Sequence, residues 1–185
     1  MTIYYALLRG INVGRSNRIK MADLKEILAD IGLTRTQTYI QSGNVIFESN
    51  EDEGPLREKI ERTVEEMFGF STTVVLRTAA EVRKLIADCP FSPEAIREAG
   101  SSSPVEVLYV ALLVNPPQPE SRKILDMRRE KEEEYRIAGR DIFLLLPNGI
   151  RRSRLVSNLD RLGVPSTIRN WKTLRKLDEL AHAIA

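Results

Sequence analysis

The sequence predicts an α+β protein made of two ferredoxin-like βαββα(β) subdomains with antiparallel sheets, plus a C-terminal helix. Three observations predict this fold class. Strand-like runs and helical periodicities follow one order in the first half and return in that order in the second, the two halves share residue spacings, and a Pro-, Gly- and Ser-containing stretch lies between them. A chain of 185 residues is long enough to bury such cores without disulfides or metals.

The first half has the order βαββαβ, which is the split βαβ arrangement. Apolar residues at three- and four-residue spacing, Leu24, Ile27, Leu28 and Ile31, predict one buried helix face. The turn residues Ser42-Gly43-Asn44 between two strand-like runs predict a hairpin. The predicted elements are strand Ile3–Arg9, loop Gly10–Lys20, helix Met21–Ile31, strand Thr36–Gln41, strand Val45–Glu48, helix Gly54–Phe68 and strand Thr72–Arg77.

A helix over Ala79–Asp88 is predicted next. Pro90, Pro93 and the stretch Gly100-Ser101-Ser102-Ser103-Pro104 then predict a linker. The second half is predicted as strand Val105–Val114, helix Glu120–Arg128, strand Glu134–Ile137, strand Asp141–Leu146, helix Leu155–Leu162, a short segment around Thr167 and helix Trp171–Ala183. The expected division is residues 1–78 for the first subdomain, 79–104 for the connecting helix and linker, and 105–185 for the second subdomain with its C-terminal helix.

Residue spacing favours an internal duplication. The run Tyr5-Ala6-Leu7-Leu8 resembles Tyr109-Val110-Ala111-Leu112-Leu113. Two triplets also share one spacing: Tyr39, Gly43 and Phe47, and Tyr135, Gly139 and Phe143. The alternative is that hairpins converge on this pattern, because aromatic residues favour strands and glycine favours turns.

Composition indicates a soluble cytoplasmic protein. Hydrophobic residues make up 42% and charged residues 29% of the chain, which excludes the polar, unbalanced composition of disordered chains. Cys89 is the only cysteine, no leader-like segment precedes the first strand, and the apolar runs are too short for a membrane helix. We therefore expect a cytoplasmic protein with no membrane span.

Charge is unevenly distributed along the chain. Residues 1–47 hold six Lys/Arg against three Asp/Glu, residues 48–135 hold twelve against nineteen, and residues 136–185 hold ten against four. The two terminal segments are therefore basic, and their positive charge could bind phosphate or another anion. Solvated helix faces also produce such clusters.

The first candidate binding segment is the loop between the first strand and the first helix. Its glycines would let backbone N–H groups approach a ligand, and an uncapped helix N-terminus favours an anion. Arginine and lysine side chains would add positive charge, but the glycine spacing matches neither a dinucleotide fingerprint nor a Walker A loop. The alternative is a solvated connection whose arginines form surface ion pairs. The candidate residues are Arg9, Gly10, Asn12, Gly14, Arg15, Asn17 and Lys20, joined by Gln41, Ser42 and Asn44 of the hairpin.

The second candidate segment is Arg169-Asn170-Trp171, at the start of the last helix. The indole could stack on a base while its polar neighbours accept and donate hydrogen bonds. Equally, Asn170 could cap the helix while Trp171 closes the core, and this structural role is favoured for Trp171. For Arg169 the sequence does not decide between a ligand-binding and a structural role.

Catalytic constellations are scarce. The sole histidine, His182, lies three residues from the C-terminus, no His/Cys cluster could hold a metal, and no residue pair marks an active site. Cys89 is predicted to be a structural thiol. A basic cluster over residues 150–154 is predicted to be a solvated helix start, and the mixed-charge run Arg128–Glu134 an exposed stretch. The sequence predicts no metal and no cofactor.

Four blocks of the sequence together resemble the DUF1697 family of bacterial proteins of unknown function. They are Ala6-Leu7-Leu8-Arg9-Gly10-Ile11-Asn12-Val13-Gly14, Met21-x-x-Leu24, Thr38-Tyr39-Ile40-Gln41-Ser42-Gly43-Asn44-Val45 and Thr167-x-Arg169-Asn170-Trp171-x-Thr173. The resemblance spans almost the whole chain and implies two ferredoxin-like subdomains, but no established activity. The chain departs from the commoner pattern at Arg15, where a second glycine often stands, and at Leu174, where valine is frequent. Arg15 argues against a tight Gly-Gly phosphate cradle but adds a positive charge.

Three functional hypotheses follow. The leading one is a binding module for a phosphate-bearing small molecule or nucleic acid, which uses the basic loop and Arg169-Asn170-Trp171. The second is an enzyme acting on a small anionic substrate through Arg9, Asn44 and Arg169. The third is a protein-interaction or homo-oligomeric module in which the polar motifs only fix loops.

Overall fold

The computed structural model describes all residues from Met1 to Ala185 and contains eight strands and seven α-helices. The strands are β1 (Thr2–Leu8), β2 (Thr34–Tyr39), β3 (Asn44–Ser49), β4 (Val74–Thr78), β5 (Leu108–Leu113), β6 (Glu134–Ala138), β7 (Asp141–Leu145) and β8 (Ser166–Asn170). The helices are α1 (Met21–Asp30), α2 (Glu53–Phe68), α3 (Ala79–Ala87), α4 (Pro93–Gly100), α5 (Ser121–Leu125), α6 (Arg154–Leu159) and α7 (Trp171–Ile184). Short 3-10 turns cover Ile150–Arg152 and Asp160–Leu162.

The strands form two four-stranded antiparallel sheets with the same connectivity. The first has the order β2-β3-β1-β4 and the second β6-β7-β5-β8. In each, the first strand is central and pairs with the third and fourth, which is the split βαβ topology. The predicted two-subdomain α+β fold is therefore confirmed.

Backbone contacts divide the chain into two compact units. The first unit comprises Met1–Leu85 and Arg175–Ala185, and the second comprises Ile86–Leu174. The division falls inside α7, so the last turns of this helix group with the first unit.

The core of the first unit lies between one face of its sheet and helices α1 and α2. Each helix buries a single stripe, because apolar residues recur every three or four positions on it. On the sheet, the ring of Tyr4 stacks on Phe47 with centroids 5.9 Å apart. The helical residues of this core are Met21, Leu24, Ile27, Leu28, Leu56, Ile60 and Val64.

The core of the second unit uses the corresponding sheet face but shorter helices. Tyr109, Ala111 and Leu113 of β5 pack with residues of α5 and α6. The predicted helix over residues 155–162 is split, with α6 ending at Leu159 and a 3-10 turn following.

Strand register shows which residues of the two halves are equivalent. Tyr5 pairs with Ile46 on one side and Arg77 on the other. In the second sheet the corresponding row is Phe143, Val110 and Arg169. Phe143 is thus equivalent to Ile46, not to Phe47 as the shared spacing predicted, and a one-residue offset places a side chain on the opposite sheet face. The runs at β1 and β5 match over Ala6-Leu7-Leu8 and Ala111-Leu112-Leu113, but Tyr109 is equivalent to Tyr4 and not to Tyr5.

Helix α4 lies inside the segment predicted as a linker. Pro93 occupies its first turn, where the missing N–H costs nothing, and Ser92 Oγ accepts a hydrogen bond from Ala95 N–H at 3.1 Å. The proline that argued against regular structure therefore begins a helix.

Membrane-crossing helices are not found, because none of the seven helices combines the length and apolar character that a bilayer span requires.

Candidate functional site

The basic loop Gly10–Lys20 of the first unit is held at both ends by buried isoleucines. Ile11 and Ile19 belong to the first core and are almost completely buried, while most residues between them are exposed. Val13 lies at the tip with 68% of its surface exposed, in a tight turn bridged to Ser16. The loop therefore projects from an apolar base.

Asn12 fixes the path of this loop. Its Nδ2 donates hydrogen bonds to Gln41 O at 2.8 Å and Ile19 O at 3.0 Å, and its Oδ1 accepts one from Ile19 N–H at 2.8 Å. These bonds close the loop on itself and tie it to the β2–β3 hairpin. Asn12 contributes to loop geometry, because all three partners are backbone groups.

Asn17 supports the same geometry from the other strand of the loop. Its O accepts a hydrogen bond from Asn12 N–H at 2.9 Å, and its Nδ2 donates to Gly10 O at 3.3 Å. Both asparagines have φ near +50°, a left-handed conformation that Asn tolerates better than other non-glycine residues.

The hairpin turn 40–43 lies against this loop. Asn44 is completely buried, and its Nδ2 donates to Tyr39 O at 3.1 Å and Ser42 Oγ at 2.9 Å. Gly43 packs closely against Ile11 and Leu8. Thus Asn12 and the hairpin residues Gln41, Ser42 and Asn44 come together, largely through hydrogen bonds to backbone groups.

Four cationic side chains, those of Arg9, Arg15, Arg18 and Lys20, are exposed along the loop. No ion pair in the structure uses Arg15, Arg18 or Lys20. As predicted, Lys20 precedes α1 and provides no side-chain cap, although Asp23 brings a carboxylate to the first turn of this helix.

Each residue of the Arg169-Asn170-Trp171 segment of the second unit contacts other residues of that unit. Arg169 is only 7% exposed, and its Nη1 donates to Thr167 Oγ1 at 2.7 Å and Ile168 O at 2.9 Å. Burial lowers the pKa of Arg169 to about 10, which leaves it charged at neutral pH. Asn170 Oδ1 caps α7 by accepting a hydrogen bond from Thr173 N–H at 2.8 Å. The rings of Trp171 and Phe143 lie with their centroids 6.2 Å apart. Asn170 thus has the capping role that the sequence left as one alternative, while Trp171 is half-buried.

Arg169 has a structural counterpart that residue spacing did not predict. Arg77 occupies the equivalent row of the first sheet, is 1% exposed, and donates from Nη1 to Leu76 O at 2.8 Å. Thr78 Oγ1 caps α3 by accepting a hydrogen bond from Glu81 N–H at 3.2 Å, just as Asn170 caps α7. The sequence signal is an apolar residue, arginine and a capping residue at a strand–helix junction, read as Leu76-Arg77-Thr78 and Ile168-Arg169-Asn170.

The remaining candidate groups are the thiol of Cys89 and the basic cluster over residues 150–154. No group of His, Cys, Asp or Glu side chains could hold a metal ion. The thiol of Cys89 is half-buried and lies 3.7 Å from Phe91 O. Ser153 Oγ caps α6 by accepting from Val156 N–H at 3.1 Å, which confirms that the basic cluster over 150–154 precedes a helix.

Tyr5 is the most perturbed tyrosine of the first unit. It is completely buried, and its hydroxyl has no hydrogen-bond partner. Burial raises the pKa of Tyr5 far above its usual range, and the negative charge of Asp178 raises it further. Asp178 Oδ1 is likewise buried without a hydrogen bond, and it lies 3.9 Å from Arg83 Nε and 3.7 Å from His182 Nδ1.

We expect Tyr5→Phe to stabilise the protein by about 1 kcal/mol at neutral pH, because it removes a buried hydroxyl that lacks a partner. The wild type should also lose stability above about pH 10, since the unfolded tyrosine releases its proton there and the folded one retains it. Tyr5→Phe should flatten this alkaline slope. Urea unfolding at several pH values measures both effects. Tyr4→Phe is the matched control, because the Tyr4 hydroxyl donates to Glu51 O at 3.2 Å and its loss should destabilise. Destabilisation by Tyr5→Phe at neutral pH would contradict the prediction.

The fold and the loop define a class of protein, namely a two-unit ferredoxin-like α+β protein with a rigid basic loop between its first strand and first helix. The family model described as "Protein of unknown function (DUF1697)" matches residues 1–143, and the chain belongs to this family. The fourth sequence block, around Arg169, lies beyond the matched residues.

A solved structure of a conserved bacterial protein from Streptococcus pneumoniae is similar to this chain. It is 25% identical in sequence with a TM-score of 0.71, and the match covers 96% of this chain and 97% of that protein. No curated protein matches the chain in sequence.

Proposed function

We propose that the protein binds nucleic acid through the phosphate backbone, at the exposed surface of the loop Gly10–Lys20. One observation carries the proposal: Arg15, Arg18 and Lys20 are exposed and have no ion-pair partner on a loop whose path is fixed by side-chain hydrogen bonds. Cations without local counterions gain free energy from phosphates and from the counterions that phosphates release.

The shape of the loop favours an extended polyanion over a small molecule. Small ligands need a concave site that covers most of their surface, whereas this loop projects. Its cations are spread along the chain, so successive phosphates could contact them in turn. Val13 and Ile40, which are 68% and 50% exposed, add apolar surface for sugars or bases.

The uncapped start of α1 supplies a further attraction for phosphate. Lys20 is the N-cap residue, so its ammonium group and the free N–H groups of the first turn lie at one end of the same loop. A cytoplasmic location belongs to the same proposal, because the single cysteine can form no disulfide within the chain.

The test is binding of labelled single-stranded RNA, single-stranded DNA and duplex DNA over a range of salt concentrations. The triple variant Arg15→Ala/Arg18→Ala/Lys20→Ala should bind more weakly. It should also reduce the slope of log Kd against log salt by about 2 to 3, because each phosphate contact contributes about 0.7 to 0.9. Fluorescence anisotropy measures both quantities.

The matched control is Lys25→Ala/Arg62→Ala/Arg161→Ala, which removes the same charge from exposed positions outside the loop. We expect its salt slope to stay close to that of the wild type. If both triple variants lost the same affinity for nucleic acid, the effect would come from net charge and not from the loop. If wild-type binding did not depend on salt concentration, the proposal would be wrong.

A further inference from the structure

A cleft of about 260 Å³ lies in the second unit, between α5, the turn that follows it, and β6. Three arginines and two carboxylates line it around one tyrosine: Arg122, Arg129, Arg136, Asp126, Glu134 and Tyr135. The cleft thus has one more cation than anion. It belongs to the second unit and shares no residue with the loop surface of the proposed function.

Both carboxylates already have partners in the cleft. Asp126 Oδ1 accepts a hydrogen bond from the Tyr135 hydroxyl at 3.1 Å and lies 3.5 Å from Arg129 Nε. Glu134 Oε2 accepts one from Arg136 Nη2 at 3.1 Å. Arg122 belongs to no ion pair. The charge that remains to be balanced is therefore that of Arg122.

Arg129 brings an unsatisfied donor to the same place. Its Nε is buried and forms no hydrogen bond, although Asp126 lies nearby. The rest of this guanidinium has partners, since its Nη1 donates to Glu133 O and its Cζ lies 5.9 Å from the centroid of the Tyr135 ring. A buried donor without an acceptor is unfavourable, and an anion in the cleft would satisfy it once the Arg129 side chain turned its Nε–H toward a bound oxygen.

We infer that this cleft is a second anion site, which binds the tetrahedral oxyanion of a small phosphate monoester or of inorganic phosphate. Planar guanidinium groups offer paired N–H donors, which match the oxygens of phosphate. The volume is below that of sites for drug-sized ligands, so the cleft suits a phosphoryl group with at most a short organic substituent.

Arg122→Gln tests the site, because Arg122 is exposed and belongs to no ion pair. Its side chain forms a hydrogen bond with Tyr135, and we expect its loss to leave the fold intact. Calorimetric titration at constant ionic strength, with sodium phosphate, glycerol phosphate, sodium sulfate and sodium acetate, separates the ligand classes. The wild type should bind phosphate or glycerol phosphate saturably and acetate at least tenfold more weakly. Arg122→Gln should weaken binding by about tenfold or more, whereas Arg161→Gln, at an exposed arginine of the same unit, should not.

Arginine Nε–H signals in ¹H–¹⁵N spectra give a second readout. Phosphate should shift the signal of Arg129, which gains an acceptor, and leave that of Arg161 in place. The triple variant of the loop should bind phosphate as the wild type does, so this site can fail independently of the nucleic-acid proposal. Absence of saturable phosphate binding by the wild type, or equal affinity of Arg122→Gln and the wild type, would overturn the inference. If the wild type bound acetate as tightly as phosphate, the inferred specificity for phosphate would be wrong.

Discussion

Replacement of Gly43 by alanine is expected to destabilise the first unit by about 2 to 5 kcal/mol. Gly43 has φ +80°, a left-handed conformation in which an alanine side chain is strained. A Cβ there would also lie 2.8 Å from Ile11 Cδ1 and 2.9 Å from Leu8 Cβ. Leu8 Cβ is attached to the central strand of the sheet, so it cannot move away without displacing β1.

Gly139→Ala is the matched control, because Gly139 occupies the turn of the corresponding hairpin in the second unit. Its φ is +61°, but nothing lies within 4 Å of the Cβ position. It should therefore cost only the conformational strain, about 1 to 2 kcal/mol. Urea unfolding followed by circular dichroism compares the two variants. Equal losses would mean that Ile11 and Leu8 yield to the new methyl group, contrary to the packing argument.

Local patterns were sufficient to predict the fold. Helix α1 follows from Leu24, Ile27 and Leu28 at helical spacing, and β1 and β5 follow from matching apolar runs that both occupy the centre of a sheet. Repetition of these elements in one order predicted two related units, and the equal strand orders confirm it.

Strand register could not be predicted from residue spacing. The triplets at Tyr39 and Tyr135 have equal spacing, yet Tyr39 pairs with Asn44 while Tyr135 pairs with Leu144. The first hairpin turn has four residues (40–43) and the second has two (139–140), so Phe143 is offset by one residue from the equivalent of Phe47 and Tyr135 by three from the equivalent of Tyr39. Since side chains alternate across a strand, each of these odd offsets reverses the face that the aromatic ring occupies.

The environments of charged residues also depend on contacts between distant parts of the chain. The run Arg128–Glu134 has the composition of an exposed stretch, yet Glu133 is buried and accepts a hydrogen bond from Leu155 N–H at 3.3 Å. In the loop, the sequence singled out Asn12 as a ligand-binding candidate. Its contacts with Gln41 and Ile19 instead indicate that it positions the neighbouring cations, and only the fold places those backbone groups beside it.

Asn12→Ala is accordingly expected to have the largest effect of any alanine substitution among the polar residues of the basic loop. It removes three hydrogen bonds to Ile19 and Gln41, leaves the Ile19 N–H group without its acceptor, and places alanine at φ +54°. At about 1 kcal/mol for each neutral hydrogen bond and about 1 kcal/mol for the left-handed backbone, we expect a loss of about 3 to 4 kcal/mol. Urea unfolding measures it. Asn12→Gly should be about 1 kcal/mol more stable than Asn12→Ala, because glycine tolerates the left-handed backbone but does not restore the three hydrogen bonds.

The same substitution links loop rigidity to the proposed nucleic-acid binding. Asn12→Ala removes no charge, so the salt slope should stay unchanged while the affinity falls several-fold, because the cations must be ordered on binding. Asn17→Ala, which loses one longer hydrogen bond in the same loop, should have a smaller effect on both stability and affinity. If Asn12→Ala weakened the fold but bound nucleic acid as the wild type does, a fixed loop would not be part of recognition. A fall in the salt slope would instead show that Asn12 holds the cations against the phosphates in the bound state, because contacts rather than order would then have been lost.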